Sequence, residues 1–577
     1  MVILGLNIYH GDSSAALVVD GRLVSAIEEE RIKRIKHWAG FPAESAAWCM
    51  ENGGLSIRDV DFIAVSRNPY ARICKKILRG LTGRLSKTFL SDRAGHYYRL
   101  ARVKTALAEK AGTEESAVRA RVVYVDHHKA HLAGAFFVSP FQEAALASVD
   151  GFGDFASTML GAGKANKIRV LKTVEFPHSL GLFYTALTQF MGFLNYGDEY
   201  KVMGLSAYGK PAYLGEMRKI VRIKKNGLFE LDMSYFLHER KGAEMSWLDG
   251  APVIGRLFSD RMTEAFGGPR KDSGNDGIDE RICDIAASLQ ARYEEVLFHM
   301  LNHLQAETGL KTLAVAGGCA QNSLANGKIY DKTPFTDLYI PPAAHDGGGA
   351  VGAAFYLYND VLGRPRGFTM ESPYWGPDFS DSEIAAVLDA RGLPYEVLQE
   401  RDLIEKCAGA IAAGKIVGWF QGRTEWGPRA LGARSILADP RRKEIKDVLN
   451  ARIKKREWFR PFAPAVLEPK TGEWFERREP VPFMEKVYGI KKEKRHLIPA
   501  VCHNDGTGRL ETVRRETNPK YYGVIEAFEK LTGVPVILNT SFNENEPICN
   551  TPEDAVNCFL KTKMDLLFAG NLALEKQ

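Results

Sequence analysis

Three strand-like runs before residue 350 end in glycine-dense backbone, and a fourth opens into a polar hairpin loop. No other feature of the chain narrows its fold as far. VILGLNI leads into His10, Gly11, Asp12, Ser13 and Ser14; AALASVDGFGDFAS carries Asp150; TLAVA leads into Gly317, Gly318, Cys319, Ala320, Gln321 and Asn322; and PPAAHDGGGA carries Asp346. Glycine at a strand end lets the main chain approach phosphate oxygens closely, and a carboxylate there can ligate an ion that those oxygens share. Taken singly, each corner reads equally well as a plain turn.

Taken together, the corners form the actin-like ATPase pattern, in which two lobes enclose a nucleotide. The surrounding sequence fits an α/β fold. Asp20-Gly21 is a tight-turn pair between two β-rich runs. Ile282 to Thr308 has Ile285, Leu289, Tyr293, Val296, Met300 and Leu304 at helical spacing, with Gly309 as its stop. At 577 residues the chain is too long for one core, and roughly three or four compact units are expected. The turn-rich segment Gly363 to Asp381 (GRPRGFTMESPYWGPDFSD) breaks both helix and strand, so it predicts a junction between a domain at 1–365 and another at 366–577. The second part alternates likewise, with a helix over Leu403 to Ala413, the strand KIVGWFQ, and VPVILN opening into TSFNENEP.

Composition is that of an ordinary globular protein. No run approaches the roughly 18 apolar residues of a membrane span, and the first residues read as a strand rather than a signal peptide, so a cytoplasmic protein is expected. Eight cysteines stand singly, without a metal or disulfide framework, and read as reduced. A net charge of +6 points weakly to anionic ligands and hardly at all to nucleic acid. The basic run Arg72 to Lys87 reads as a solvated helix face rather than an anion-binding surface.

Two constellations carry chemistry. In DHHKAH, positions four apart share a helix face, so His127 and His131 can offer two imidazoles to one ion while His128 cannot join them. Alone, such a pair is more often a packing feature than a site. The second is cationic: Arg423, Arg429 and Arg434 in RTEWGPRALGARS, then Lys454, Lys455 and Arg456, then Arg460 and Arg509, with Asn539, Ser541 and Asn543 in NTSFN. Arginine's planar fork pairs bidentately with phosphate, and lysine adds a mobile point charge. An RNA-binding face fits less well, because these cations lie in proline- and glycine-shaped loops rather than along a stripe of stacking aromatics.

The words YHGDSSAALV, EEERIKRIKHWAGFP, DHHKAH, DEYKVMGLSAYG and AGGCAQN resemble the O-carbamoyltransferases of the nodulation and antibiotic-tailoring type. Their large domain is similar to the threonylcarbamoyl-adenosine tRNA transferases. The resemblance implies an iron or other divalent metal on His127, His131, Asp150 and Asp346, with His10 at the transfer centre and Lys36 against the nucleotide or carbamoyl group. Asp12, Gly317, Gly318 and Asn322 would contact the nucleotide. The family often has alanine where this chain has Gly11. KxR followed by SxN resembles the YrdC-type threonylcarbamoyl-AMP synthases, which makes Lys454 and Arg456 the first motif and Ser541 and Asn543 the second. Arg429, Arg460 and Arg509 match phosphate-binding arginines, Asn539 lies at the nucleotide, and Met484 lines the carbamoyl pocket.

The implied activity is transfer of a carbamoyl group, from carbamoyl phosphate by way of carbamoyl-adenylate made with ATP and Mg2+, to the hydroxyl of a small molecule or sugar. The resemblance leaves a homodimer open. Threonylcarbamoyl transfer to tRNA, or a non-catalytic actin-like nucleotide-binding protein, are the alternatives. Residues 212 to 280 contain no family words, and Phe229, Tyr235, Phe236 and Trp247 there read either as acceptor pocket or as core.

Overall fold

The computed structural model describes residues 1–81, 99–239, 245–246, 250–271 and 277–576. Trp247 and the end of the basic run beyond Leu81 lie outside them. The chain divides into two compact units, one of residues 1–322 and 328–370, the other of 323–327 and 371–577.

The first unit holds two five-stranded sheets. One is built from β1 (Val2–Asn7), β2 (Ser14–Val19), β3 (Arg22–Glu28), β4 (Phe62–Val65) and β5 (Arg121–Tyr124), in the order β3-β2-β1-β4-β5. The helix α1 (His127–Phe136) follows β5. The other is built from β6 (Glu143–Gly153), β7 (Ala156–Lys164), β8 (Lys167–Glu175), β9 (Thr312–Ala316) and β10 (Asp337–Tyr339), in the order β8-β7-β6-β9-β10. The long helix α2 (Glu280–Thr308) precedes β9, and α3 (Gly349–Phe355) follows β10. Each sheet thus has an antiparallel three-strand meander, two parallel strands added beside its first strand, and a helix after the last. This duplicated core is the actin-like ATPase fold that the glycine corners predict.

Local chemistry explains the element ends. Asp20 and Gly21 both have positive φ, 47° and 77°, as the β2-β3 turn requires. The helix α2 begins two residues before the expected Ile282, because the Asp279 side chain caps it by accepting from Ile282 N, and it ends on Gly309 in the left-handed conformation. The helices α1 and α3 approach backbone to backbone: a Cβ on Gly352 would stand 1.9 Å from the Ala130 carbonyl oxygen, so no side chain fits there. Phe229, Tyr235 and Phe236 are buried, which makes them core residues of this unit.

The second unit is a mixed nine-stranded sheet with helices. Its strands are β11 (Glu396–Val397), β12 (Val417–Phe420), β13 (Arg434–Ala438), β14 (Ala463–Leu467), β15 (Lys486–Gly489), β16 (Thr507–Val513), β17 (Val536–Ser541), β18 (Leu566–Ala569) and β19 (Leu572–Glu575), in the order β11-β19-β18-β12-β13-β17-β14-β16-β15. Trp419, Ile436, Leu538 and Phe568 lie in its core, which helices at Glu400–Ala412 and Pro519–Thr532 help to cover. Among the described residues no helix is long and apolar enough to cross a membrane. All eight cysteines are free thiols; Cys74 is exposed and five are buried.

Candidate functional site

In the first unit, β5 delivers the chain to Asp126, whose carboxylate accepts from the backbone amides of His128 and Lys129 and so starts α1 at His127. The one-turn spacing then puts His127 and His131 on one face, with their Nε2 atoms 3.1 Å apart. His131 Nε2 lies 3.1 Å from Asp150 Oδ2 and 3.2 Å from Asp346 Oδ1; the corresponding distances from His127 Nε2 are 3.2 and 3.5 Å. All four residues are buried, and their ligand atoms lie within 4.8 Å of one another. Four donors roughly 2.0 to 2.2 Å from a common tetrahedral ion would be separated by roughly 3.3 to 3.6 Å, close to these spacings. The residues therefore fit a divalent metal, and two carboxylates with two imidazoles suit iron or zinc better than calcium or magnesium.

Neighbours hold these ligands in place. Asp150 Oδ1 accepts from the amides of Gly151 (2.7 Å) and Gly318 (3.1 Å), which turns Oδ2 toward the histidines. Gly153 passes so close to His127 that a Cβ there would lie 2.0 Å from the ring, so glycine is required. Asp154 Oδ2 accepts from the amides of His127 and Asn68, tying the loop after β4 to the start of α1. His128 is turned aside, with Nδ1 on Ser148 Oγ at 2.8 Å. Burial opposes charge on His131, but the two carboxylates outweigh it and raise its pKa to about 9, which marks the pocket as one that draws in positive charge.

The His10 Nδ1 atom stands 2.5 Å from Asp346 Oδ2, so Asp346 faces the histidine pair with one oxygen and His10 with the other. Asp12 is occupied differently from the expectation. It has a φ of 58°, and its carboxylate pairs with His37 Nδ1 at 2.7 Å, while Glu30 accepts from the His37 amide. Asp12, Glu30 and His37 form the second group whose ligand atoms could hold an ion, but here they satisfy one another. Lys36, beside them, is exposed. Gly317 has a φ of 93° and packs on Val149, and Asn322 exchanges two hydrogen bonds with Gln290 of α2.

In the second unit, the strand register gathers distant residues on one sheet face. Ser435 of β13 lies opposite Ser541 of β17; Asn539 lies opposite Ala463 of β14; and Ala465 lies opposite Glu511 of β16. Paired residues point to the same side, so Ser541, Asn539, Arg509 and Glu511 share a face. Lys454 joins the two expected motifs: its buried ammonium donates to Ser541 O, and to Asn543 O and Oδ1 at 2.7 Å each. Lys455, with a φ of 43°, points outward to Glu544. Arg456 donates to Asn450 Oδ1 at 2.8 Å and stacks on Phe462, Arg460 lies 3.5 Å from Glu457, and Met484 is buried at a φ of 55°.

Burial and the neighbouring guanidiniums of Arg429, Arg456 and Arg460 push the pKa of Arg509 well down. Four guanidiniums gathered in this way make a candidate anion site. Two arginines of the cationic constellation are used otherwise. Arg423 donates to the carbonyls of Gly376 and Trp375, while Arg434 is fully buried, stacked on Phe420 and bonded to the carbonyls of Gln421 and Gly422.

Sequence reasoning missed two acids here. Glu425 Oε1 accepts from the amides of Leu431, Ala433 and Arg434 at 2.8 to 3.0 Å and so shapes the loop that carries Arg429. Glu511 accepts from Asn539, and burial, reinforced by Glu425, raises its pKa to about 8. Alternation along TGRLETV, which sets Glu511 two residues from Arg509, was the available signal.

Comparison with known proteins gives concordant matches at both ends. A family described as Carbamoyltransferase N-terminus matches residues 2–355, and one described as Carbamoyltransferase C-terminus matches 408–576. The chain is 39% identical to Nodulation protein NolNO of Sinorhizobium fredii, over 99% of this chain and 80% of that protein. It is 39% identical to an uncharacterized protein of Synechocystis sp., over 100% of this chain and 96% of that one. Among solved structures, component A of (R)-2-hydroxyglutaryl-CoA dehydratase from Acidaminococcus fermentans is 14% identical and covers 62% of this chain and 97% of that one, at a TM-score of 0.32.

Proposed function

The chain belongs to the carbamoyltransferase family, and we propose that it makes carbamoyl-adenylate in its second unit and transfers the carbamoyl group to an acceptor hydroxyl in its first. The observation that carries this reading is the division of labour between two ligand sets. One unit holds four convergent imidazole and carboxylate donors, and the other holds a cluster of guanidiniums beside a lysine that links the two motifs.

In the second unit, Arg429, Arg456, Arg460 and Arg509 bind the phosphates of ATP, delivered with Mg2+, and of carbamoyl phosphate. Water cleaves carbamoyl phosphate to carbamate and inorganic phosphate; a carbamate oxygen then attacks the α-phosphorus of ATP, a new oxygen–phosphorus bond forms, the α–β bridge breaks, and pyrophosphate leaves. Lys454 and the arginines stabilise the charge that develops. In the first unit, His127, His131, Asp150 and Asp346 would hold a divalent ion, iron by the family resemblance, which supplies Lewis acidity to the bound adenylate. His10 takes the proton of the acceptor hydroxyl on Nε2, since Nδ1 is engaged by Asp346, which orients the ring. The acceptor oxygen attacks the carbamoyl carbon and AMP leaves. The acceptor is a small molecule or a sugar.

Carbamoyl-phosphate-dependent release of pyrophosphate from ATP tests the reading. Release that required threonine and bicarbonate instead would replace it with threonylcarbamoyl transfer.

A further inference from the structure

Tyr196 covers the loop that carries His10. It lies in the turn between the helices Leu180–Phe190 and Glu199–Leu205. A Cβ on Gly11 would stand 2.6 Å from the Tyr196 hydroxyl oxygen, 2.7 Å from Cζ and 2.8 Å from Cε1. The tip of the phenol therefore fills the space where residue 11 would carry a side chain, between His10 and Asp12. The next residue continues the contact. Gly197, at a φ of 84°, passes so close to His37 that a Cβ there would lie 2.5 Å from Nε2, and the rings of Tyr196 and His37 meet edge to face at 5.2 Å. His37 in turn holds Asp12.

Both sides of this contact are set in place. Tyr9 and Asp12 have φ of 51° and 58°, so the loop between them is strained backbone that persists only where packing holds it. The turn that carries Tyr196 is tied to itself: Asp198 Oδ2 accepts from the Asn195 amide at 3.2 Å, and Oδ1 pairs with Lys201 at 2.9 Å. The groups of the site are nearly dry, with the side chains of His10, Asp346 and His131 only 12%, 4% and 2% exposed. Burial, with Asp346, Asp12 and Asp150 close by, pushes the phenol pKa well up, so the hydroxyl stays neutral and does not rival His10 as a base.

We propose that Tyr196 is a positioning residue that keeps water from His10, so that the carbamoyl group passes to the acceptor hydroxyl. Water can do at this site what the acceptor does. Its oxygen adds to the carbamoyl carbon, its proton passes to His10 Nε2, the bond from that carbon to the phosphate oxygen breaks, and carbamate and AMP leave. A transferase has to exclude that reaction until the acceptor is in place, and a rigid aromatic ring packed on the loop of the base does so. The inference rests on the proposed transfer reading for the identity of the carbamoyl donor.

Chemically supplied carbamoyl-adenylate, with no acceptor present, is the probe, and release of AMP is the readout. Loss of a merely structural residue slows this reaction, whereas loss of a cover speeds it. Tyr196→Ala should release AMP at least about tenfold faster than wild type, and Tyr196→Phe, which keeps the ring, should restore the rate to within about threefold. Gly11→Ala should also be faster, because its Cβ drives the ring aside, and adding it to Tyr196→Ala should change the rate by less than about twofold. Should Tyr196→Ala fail to fold, Gly11→Ala tests the same cover. A second measurement needs no carbamoyl chemistry: carbethoxylation of His10 by diethyl pyrocarbonate, read by mass spectrometry, should be at least about fivefold faster in Tyr196→Ala. Unchanged labelling of His10 would overturn the proposal, and so would faster labelling with unchanged AMP release in a protein whose wild type releases pyrophosphate. Absence of pyrophosphate release from wild type would remove the adenylation reading instead, and the labelling still judges the cover.

Discussion

The Nε2 atoms of His127 and His131 face each other across 3.1 Å in a pocket shared with two carboxylates. Two imidazole nitrogens this close are stable only with a proton or a cation between them and the acids, so the purified protein should hold about one equivalent of divalent metal. In His131→Ala, one of four ligands is gone, and elemental analysis after dialysis should find less than about a tenth of the wild-type content. Full occupancy in that variant would remove the metal assignment.

The backbone contact behind that pocket is equally testable. Because a Cβ on residue 352 would stand 1.9 Å from Ala130 O, Gly352→Ala must push α3 away from α1, and with it the turn that carries Asp346. Overpacking against backbone should cost about 3 kcal/mol of stability and weaken metal retention. Urea denaturation with metal analysis measures both. An unchanged midpoint would mean that the two helices can part without cost.

The Asp12–His37 pair gives a pH dependence. Burial lowers the His37 pKa, but Asp12 outweighs it and raises the folded value to about 9, against 6.5 for an ordinary histidine. A folded state that binds the proton more tightly is stabilised below the unfolded pKa and loses that stability as pH rises from about 6.5 through 9. The loss is at most about 3 kcal/mol. Thermal melts between pH 6 and 10 should therefore slope downward more steeply in wild type than in His37→Gln. Parallel slopes would show that the pair contributes nothing.

Lys454 carries the adenylation step in this account. Lys454→Ala removes the ammonium that links Ser541 to Asn543, and if that ammonium also meets the phosphates as proposed, pyrophosphate release should fall at least about 100-fold. Transfer from chemically supplied carbamoyl-adenylate should persist. Release within about twofold of wild type would be incompatible with the role given to the KxR motif.

Much of this was legible because it depends on short-range rules. Helical spacing put His127 and His131 on one face, and the glycine corners pointed to the two-lobed core. The duplicated strand order was not legible, since sheet order is set by tertiary packing and needs no repetition of sequence. Nor could a motif reveal which guanidiniums are buried against carbonyls, as with Arg423 and Arg434, and which gather around Arg509. Glu425 and Glu511 escaped notice because a single acid in a loop or strand has no pattern of its own; only the folded register sets Glu511 against Asn539. Lys36 is exposed, while its neighbour His37 makes the ion pair.

The central claim is that adenylate formation and carbamoyl transfer use separate devices in separate units. The most direct test is carbamoyl-phosphate-dependent pyrophosphate release by His131→Ala, which has lost a metal ligand and kept every cation of the second unit. The account predicts release within about threefold of wild type, with no carbamoyl transfer to any acceptor. Loss of pyrophosphate release in a His131→Ala protein that remains folded and melts as wild type does would contradict it.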